Sequence, residues 1–370
     1  MKVLVLTEQG TSNRITDRAI VALRDSGIDV TFASTGPKGA LHESFSRQGI
    51  PNVAFNAVRS LHYPGAILRL SRYIRSERFD VVHSAEPIPA ALGGLAALLA
   101  QTGKRIFHRQ HLWPENPGAW KQQLFSRVGT ISNQLIMACS AATKRVAEDR
   151  DRIPSYKIMV AENGSNPVRL VRHEESESLK RSLGIEANEK VVVILSRLRK
   201  VKGHETLFSS IPMVAGKLSA PLHLIVAGSG PDEERFRRIA ESIAEAKIHF
   251  VGFQEDVALW FSVADAIAMP SYWDALPFAA IEAMFCARPI VASRVGGFCE
   301  IIKDGVNGIL VEPKDPDALA EGLTNVLTNP AFGRELGEKA KETAEARFST
   351  EQMANRWVVC YERILGTKSG

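Results

Sequence analysis

Four cysteines in 370 residues, Cys139, Cys286, Cys299 and Cys360, are too few and too scattered for a disulfide framework, and none stands in the Cys-x-x-Cys spacing of a metal knuckle. A reducing compartment suits them. Long apolar runs are missing too. Residues 87–100 form the most apolar long segment, but it is shorter than a bilayer crossing and rich in Ala and Gly, which predicts a tightly packed core helix. The apolar run within the first ten residues is too short for a signal peptide and reads as a buried first strand, so a cytoplasmic setting is expected. After that strand comes Glu8-Gln9-Gly10-Thr11-Ser12-Asn13 in place of Gly-x-Gly-x-x-Gly, which disfavours a dehydrogenase.

What is present is a long alternation. A chain of this length exceeds the roughly 250 residues beyond which one core usually splits, so two domains are expected. Apolar strands near residues 2–6, 30–33, 53–55, 81–83 and 105–108 alternate with helical patterns, which predicts a parallel, doubly wound α/β sheet. The Asn163-Gly164 turn closes this half, and a polar stretch with Glu174, Glu175, Glu177, Lys180 and Arg181 follows. Residues 191–195 open a second sheet, continued by strands near 222–227, 248–253, 264–270 and 289–293. The expected domains are 1–165 and 191–349, joined by a linker at 166–190 and followed by a terminal helix within 350–370.

The net charge of +5 is uneven. Residues 1–165 hold 21 Lys+Arg against 13 Asp+Glu, or +8, and the remainder holds 25 against 28, or −3. Arg69, Arg72, Arg75 and Arg78 recur every three residues among Leu68, Leu70, Ile74 and Phe79. That pattern fits either a basic amphipathic helix lying on an anionic membrane or a merely solvated basic face. No nucleic-acid partner is expected.

The chemistry concentrates in residues 270–285. A buried strand ends at Pro270-Ser271, a tight loop follows, and Pro277 can start a helix because its missing N–H is not needed in a first turn. The N–H groups of Ala275, Leu276, Phe278 and Ala279 would then make an anion site at the positive end of the helix dipole. Asp274 and Glu282 flank it. Carboxylates repel phosphate, so their expected task is to accept hydrogen bonds from hydroxyls beside it, and hydroxyls beside a phosphate describe a nucleotide sugar. The plainer alternative is a helix cap at Asp274 and a solvated charge at Glu282.

The stretch resembles the donor motif of the retaining GT-B glycosyltransferases of family four, with Asp274 where the family usually has its first Glu. Three further stretches are similar to that family. Ser196-Arg197-Leu198 with Lys202-Gly203 resembles Gly-Arg-Leu…Lys-Gly, Gly228-Ser229-Gly230-Pro231 resembles Gly-x-Gly-Pro, and Gly296-Gly297-Phe298-Cys299-Glu300 resembles Gly-Gly-x-x-Glu. Ser196, Ala287 and Cys299 depart from the usual Gly, Gly and Pro.

The resemblance implies a GT-B fold, two Rossmann-like domains facing a central cleft, with the last helix crossing back to the first domain. It implies transfer of a sugar from a nucleotide diphosphate sugar to a glycan or lipid-linked hydroxyl, in bacterial cell-surface glycan synthesis, at or near the inner face of the plasma membrane. Arg197 and Lys202 would bind the diphosphate, Asp274 hydroxyls of the transferred sugar and Glu282 those of the ribose. Gly10, Gly228 and Gly230 would approach the nucleotide closely, and the backbone near Phe253 would meet the base. One histidine past the strand at 105–108 would lie near the donor sugar, and His111 fits better than His108. Neither Asp149-Arg150-Asp151 nor Asp315-Pro316-Asp317 follows a strand of the donor region, so cations of the protein are expected in place of a metal, and no cofactor is implied. A nucleotide-sugar epimerase on the same frame and a non-catalytic nucleotide-sugar sensor are the alternatives.

Overall fold

The computed structural model describes residues 1–10, 14–101, 103–110, 120–165 and 169–366, and the chain divides into two compact units. Unit 1 holds Met1–Gly164 with the segment from Thr350, and unit 2 is Ser165–Ser349.

Unit 1 is built on strands β1 (Lys2–Thr7), β2 (Asp29–Ser34), β3 (Asn52–Ala54), β4 (Val81–Ala85), β5 (Lys104–Arg109), β6 (Leu135–Ala138) and β7 (Ile158–Val160). They form one seven-stranded sheet in the order β3-β2-β1-β4-β5-β6-β7, with every neighbouring pair parallel. The alternation sets this arrangement, because helices on both faces bury the strands on both sides and select continuous apolar runs such as Val3-Leu4-Val5-Leu6, all fully buried. The helices are α1 (Arg14–Asp25), α2 (Ala40–Arg47), α3 (Tyr63–Glu77), α4 (Pro87–Ala100), α5 (Trp120–Ser132) and α6 (Ala141–Asp149).

The arginine-rich helix forms as α3, but it is not a free basic stripe. Leu70 and Ile74 are buried in the core, Arg69 donates to the Phe55 carbonyl at 2.7 Å, and Arg75 donates to the Leu99 carbonyl at 2.9 Å. The period of three runs across the helix's 3.6-residue turn, so successive arginines drift around the helix and two of the four serve neighbouring segments.

Unit 2 opens with α7 (His173–Ser182), inside the stretch whose polarity reads as a linker. Arg169 pairs with Asp256 at 2.6 Å and Ser176 bonds Ser262 at 2.7 Å, so this stretch is tied to unit 2 through polar surface contacts. The second sheet contains β8 (Lys190–Leu195), β9 (Leu222–Ala227), β10 (Ala246–Gly252), β11 (Ala266–Met269), β12 (Ile290–Ser293) and β13 (Ile309–Val311). Its order is β10-β9-β8-β11-β12-β13, again all parallel. Helices α8 (His204–Ala215), α9 (Glu233–Ala240), α10 (Val257–Ser262), α11 (Phe278–Phe285), α12 (Phe298–Ile301), α13 (Pro316–Thr328) and α14 (Pro330–Arg347) accompany it.

The final helix, α15 (Thr350–Leu365), returns to unit 1, where Trp357 and Tyr361 are fully buried and the Tyr361 hydroxyl lies 2.7 Å from His83 Nδ1. Among the described residues, no helix is long and apolar enough to cross a membrane.

Candidate active site

In an open parallel sheet, ligands bind beyond the carboxyl ends of the strands, where the strand order reverses direction. In unit 2 that reversal falls between β8 and β11. The loop after β8 carries Arg197 and Lys202, and the loop after β11 carries Asp274. Lys202 Nζ and Asp274 Oδ2 meet across the reversal at 2.7 Å, with the two side chains only 25% and 13% exposed. Arg197 stands exposed in the same β8 loop.

Backbone contacts hold these loops against one another. The Leu198 N–H donates to Ser229 O at 3.0 Å, the Tyr272 N–H to Val201 O at 2.8 Å and the Gly297 N–H to Asp274 O at 3.0 Å. Glycine is required where the chains come closest. Gly228 has φ +140°, and an added Cβ would overlap the Ser196 carbonyl oxygen. Gly296 has φ +47°, and its Cβ would overlap the Asp274 carbonyl. Gly230 likewise lies against the Leu198 backbone. Protein packing therefore accounts for these glycines, and their missing side chains face a neighbouring loop.

Helix α11 begins at Phe278, one residue later than the sequence suggests. Pro277 caps it instead of starting it, because its ψ of 100° keeps it extended while its carbonyl accepts from the Ala280 N–H at 3.0 Å. Ala275 is partly exposed and Leu276 buried just ahead of this turn, and Glu282 is buried, at 2% exposure, further along α11. Phe253, just past β10, is 66% exposed.

His204 is a site neighbour that sequence reasoning passed over. It opens α8 directly after Gly203, is fully buried and stacks on Phe236 at 4.6 Å. Burial, aided by the Lys202 charge, brings its pKa down to about 4, so it stays neutral beside the cation. Its position next to the Lys202-Gly203 motif was the available signal.

Unit 1 has its own reversal, between β1 and β4. Glu8 follows β1 and Glu86 follows β4, and the Glu8 N–H donates to Glu86 Oε2 at 3.2 Å. Burial raises both carboxyls, Glu86 to about 7. The Glu86 backbone has φ 73° and ψ 158°, a strained region that is almost exclusive to glycine. The sequence reading missed this pair as well, although Glu86-Pro87 at a strand end marks it.

Gly10 is buried, and a Cβ there would strike the His42 ring and the Gly39 nitrogen. His108 lies within β5, fully buried, with its ring 5.0 Å from Trp357 and 5.3 Å from His83. That leaves it no open face. His111 lies outside the described residues. Both Asp-x-Asp sequences have acids with protein partners, since Asp151 pairs with Arg109 and Asp315 caps α13 through the Ala318 N–H.

Comparison with known proteins agrees with this geometry. Residues 12–169 match the family described as Glycosyltransferase Family 4, and residues 175–344 match Glycosyl transferases group 1. An uncharacterised glycosyltransferase of Methanocaldococcus jannaschii is 28% identical over 307 residues, 81% of this chain and 72% of that protein. The N-acetyl-alpha-D-glucosaminyl L-malate synthase of Bacillus anthracis is 23% identical over 355 residues, 93% of this chain and 91% of its own length. The crystal structure of Anabaena HepE in complex with UDP-glucose superposes with a TM-score of 0.84 at 20% identity, covering 98% of this chain and all of that one. Two parallel Rossmann-like sheets of this kind define a GT-B protein. The chain belongs to the group 1, family four glycosyltransferases and is a glycosyltransferase enzyme.

Proposed function

We propose that the enzyme moves a sugar from a nucleotide diphosphate sugar to a hydroxyl acceptor with retention at the anomeric carbon, in cell-surface glycan synthesis with a glycan or lipid-linked acceptor near the membrane. The observation that carries this reading is the Lys202–Asp274 pair at the strand reversal of unit 2. Without donor, Asp274 neutralises Lys202. When a diphosphate arrives it takes Lys202, and Asp274 is released to accept a hydroxyl of the transferred sugar. Arg197 adds a second cation to the same loop. Breaking the sugar–phosphate bond leaves its electron pair, and added negative charge, on the diphosphate. Fixed cations that strengthen as this charge develops lower the barrier.

Glu282, buried on α11, holds the ribose hydroxyls, and the loops bearing Gly228, Gly230 and Phe253 line the nucleotide with Ala275, Leu276 and Phe278. Gly10 and His111 serve the transfer from unit 1. Because HepE was crystallised with UDP-glucose, that donor is the first to test.

The test is a thermal-shift screen of nucleotide sugars, since a specific ligand raises the melting point. Assignment of the product anomer by NMR and an assay in EDTA follow. Retention and activity in chelator are expected. Inversion, or loss of activity restored by magnesium, overturns the mechanism. Donor isomerised without acceptor makes the enzyme an epimerase, and binding without turnover makes it a sensor.

A further inference from the structure

The outer face of one helical layer in unit 1 carries large apolar side chains that stand exposed among the described residues. Helices α3, α4 and α5 pack side by side. Along α5, Trp120, Leu124 and Ile131 recur at helical spacing, yet they are 61%, 50% and 82% exposed. An apolar stripe on a surface helix normally faces the core. On α4, Leu98 and Leu99 are 46% and 53% exposed, which extends the apolar character to the neighbouring helix. Large exposed apolar patches on soluble proteins mark interaction sites.

The charge on this layer identifies the partner. The three helices contain a single acid, Glu77, and it is occupied by Lys2 at 2.8 Å. Their exposed cations include Arg72 on α3 and Lys121 and Arg127 on α5, with Lys121 Nζ over the Trp120 ring at 5.6 Å. A second copy of the chain is a poor occupant, because a two-fold interface sets this patch against itself, and α3, α4 and α5 offer no acid besides the paired Glu77 to meet the copy's cations. An acidic lipid surface satisfies both features. Tryptophan and leucine enter the headgroup boundary, and cations pair with lipid phosphates.

We propose that the outer face of α3, α4 and α5 seats the enzyme on an anionic bilayer, with Trp120, Leu124 and Ile131 inserted and Arg72, Lys121 and Arg127 against the headgroups. The proposal rests on the reading of a membrane-borne acceptor and gives it a place. It keeps Arg72 of the arginine repeat and adds α4 and α5, where exposed apolar groups can insert.

The experiment is cosedimentation of the full chain with phosphatidylcholine vesicles, with and without phosphatidylglycerol, at low and high salt. Wild type is expected to bind only the anionic vesicles and to show a blue shift of tryptophan emission. Joint Arg72→Glu, Lys121→Glu and Arg127→Glu should weaken partitioning on the order of 100-fold or more, since each basic residue contributes about 1 kcal/mol near such a surface. Joint Trp120→Ser, Leu124→Ser and Ile131→Ser should abolish the blue shift and the salt-resistant part of binding. Circular dichroism and UDP-glucose affinity, a property of unit 2, should be unchanged in both variants. Equal binding to neutral vesicles, wild-type partitioning by both variants, or a dimer in light scattering that the serine variant dissolves would overturn the proposal. Vesicle binding that persists when no donor binds would uphold it and strike only the donor reading.

Discussion

The two units share one architecture and use it differently. Each is a parallel doubly wound sheet with a strand-order reversal, β1/β4 in unit 1 and β8/β11 in unit 2. At the reversal of unit 2 a cation and an anion meet between loops joined by backbone contacts. At that of unit 1 the Glu8 N–H donates to the Glu86 carboxylate beside a strained backbone, and burial raises the pKa of both acids. The fold thus supplies a ligand position twice, and the side chains decide what each position can hold. Fixed opposite charges at the reversal of unit 2 suit exchange with a phosphate. Acids whose charged form is disfavoured by burial suit neutral hydroxyl-bearing ligands.

The sharpest way to break this contrast is to remove the cation. Lys202→Ala should lower transfer by about 100- to 1,000-fold, the usual loss of one transition-state charge contact, while the melting temperature stays close to wild type. An active, folded Lys202→Ala enzyme would remove the chemistry from unit 2.

Proton linkage gives the next effect, with opposite signs in the two units. His204 has a folded pKa of about 4 against an ordinary 6.5, so the unfolded chain takes up the proton first as pH falls. Its stability contribution is present above pH 6.5 and lost between 6.5 and 4. Glu86 has a folded pKa of about 7 against 4.5, so the folded chain keeps its proton longer. Its contribution is present below pH 4.5 and lost as pH rises to 7. Each shift corresponds to about 3 kcal/mol. Denaturation across pH should show His204→Phe flattening the loss of stability on acidification and Glu86→Gln removing the loss of stability as pH goes from 4.5 to 7. Equal pH profiles in wild type and variants would cancel the contrast.

Glycine substitutions sharpen the comparison at the level of the backbone. Gly27 in unit 1 has φ +82° with open space around its Cβ position, whereas Gly228 in unit 2 combines φ +140° with a clash against Ser196 O. Denaturant titration should find Gly228→Ala destabilising by about 2 kcal/mol or more, and Gly27→Ala by about 1 kcal/mol from strain alone.

The smallest effect separates the two carboxylates of residues 270–285. Glu282→Ala should raise the donor KM and weaken UDP binding roughly tenfold, since ribose contacts are equal before and during reaction. Asp274→Asn should cut kcat by a similar factor while UDP binds as tightly as in wild type or more so, because Lys202 loses the anion that competes with phosphate. Calorimetric titration of UDP into both variants decides it, and the reverse pattern would exchange the two roles.

The motifs of unit 2 were legible because their features are local: glycines where backbones touch, cations in one short loop, and a helix start. Residues 196–203, 228–231 and 270–282 each lie within thirteen consecutive residues, so their resemblance to the family's motifs could be read from the sequence. The strand and helix alternation was equally readable, and the terminal helix expected within 350–370 runs over Thr350–Leu365. What the sequence could not decide is what its groups touch. The same arginine period serves a membrane face or internal carbonyls, and only the packing of α3 shows Arg69 and Arg75 turned to Phe55 and Leu99. The pairing of Lys202 with Asp274 spans 72 residues, and that of Glu8 with Glu86 spans 78. Sequence periodicity carries information over a few turns of chain, and contacts at such separations arise only when the sheet brings two strand ends together.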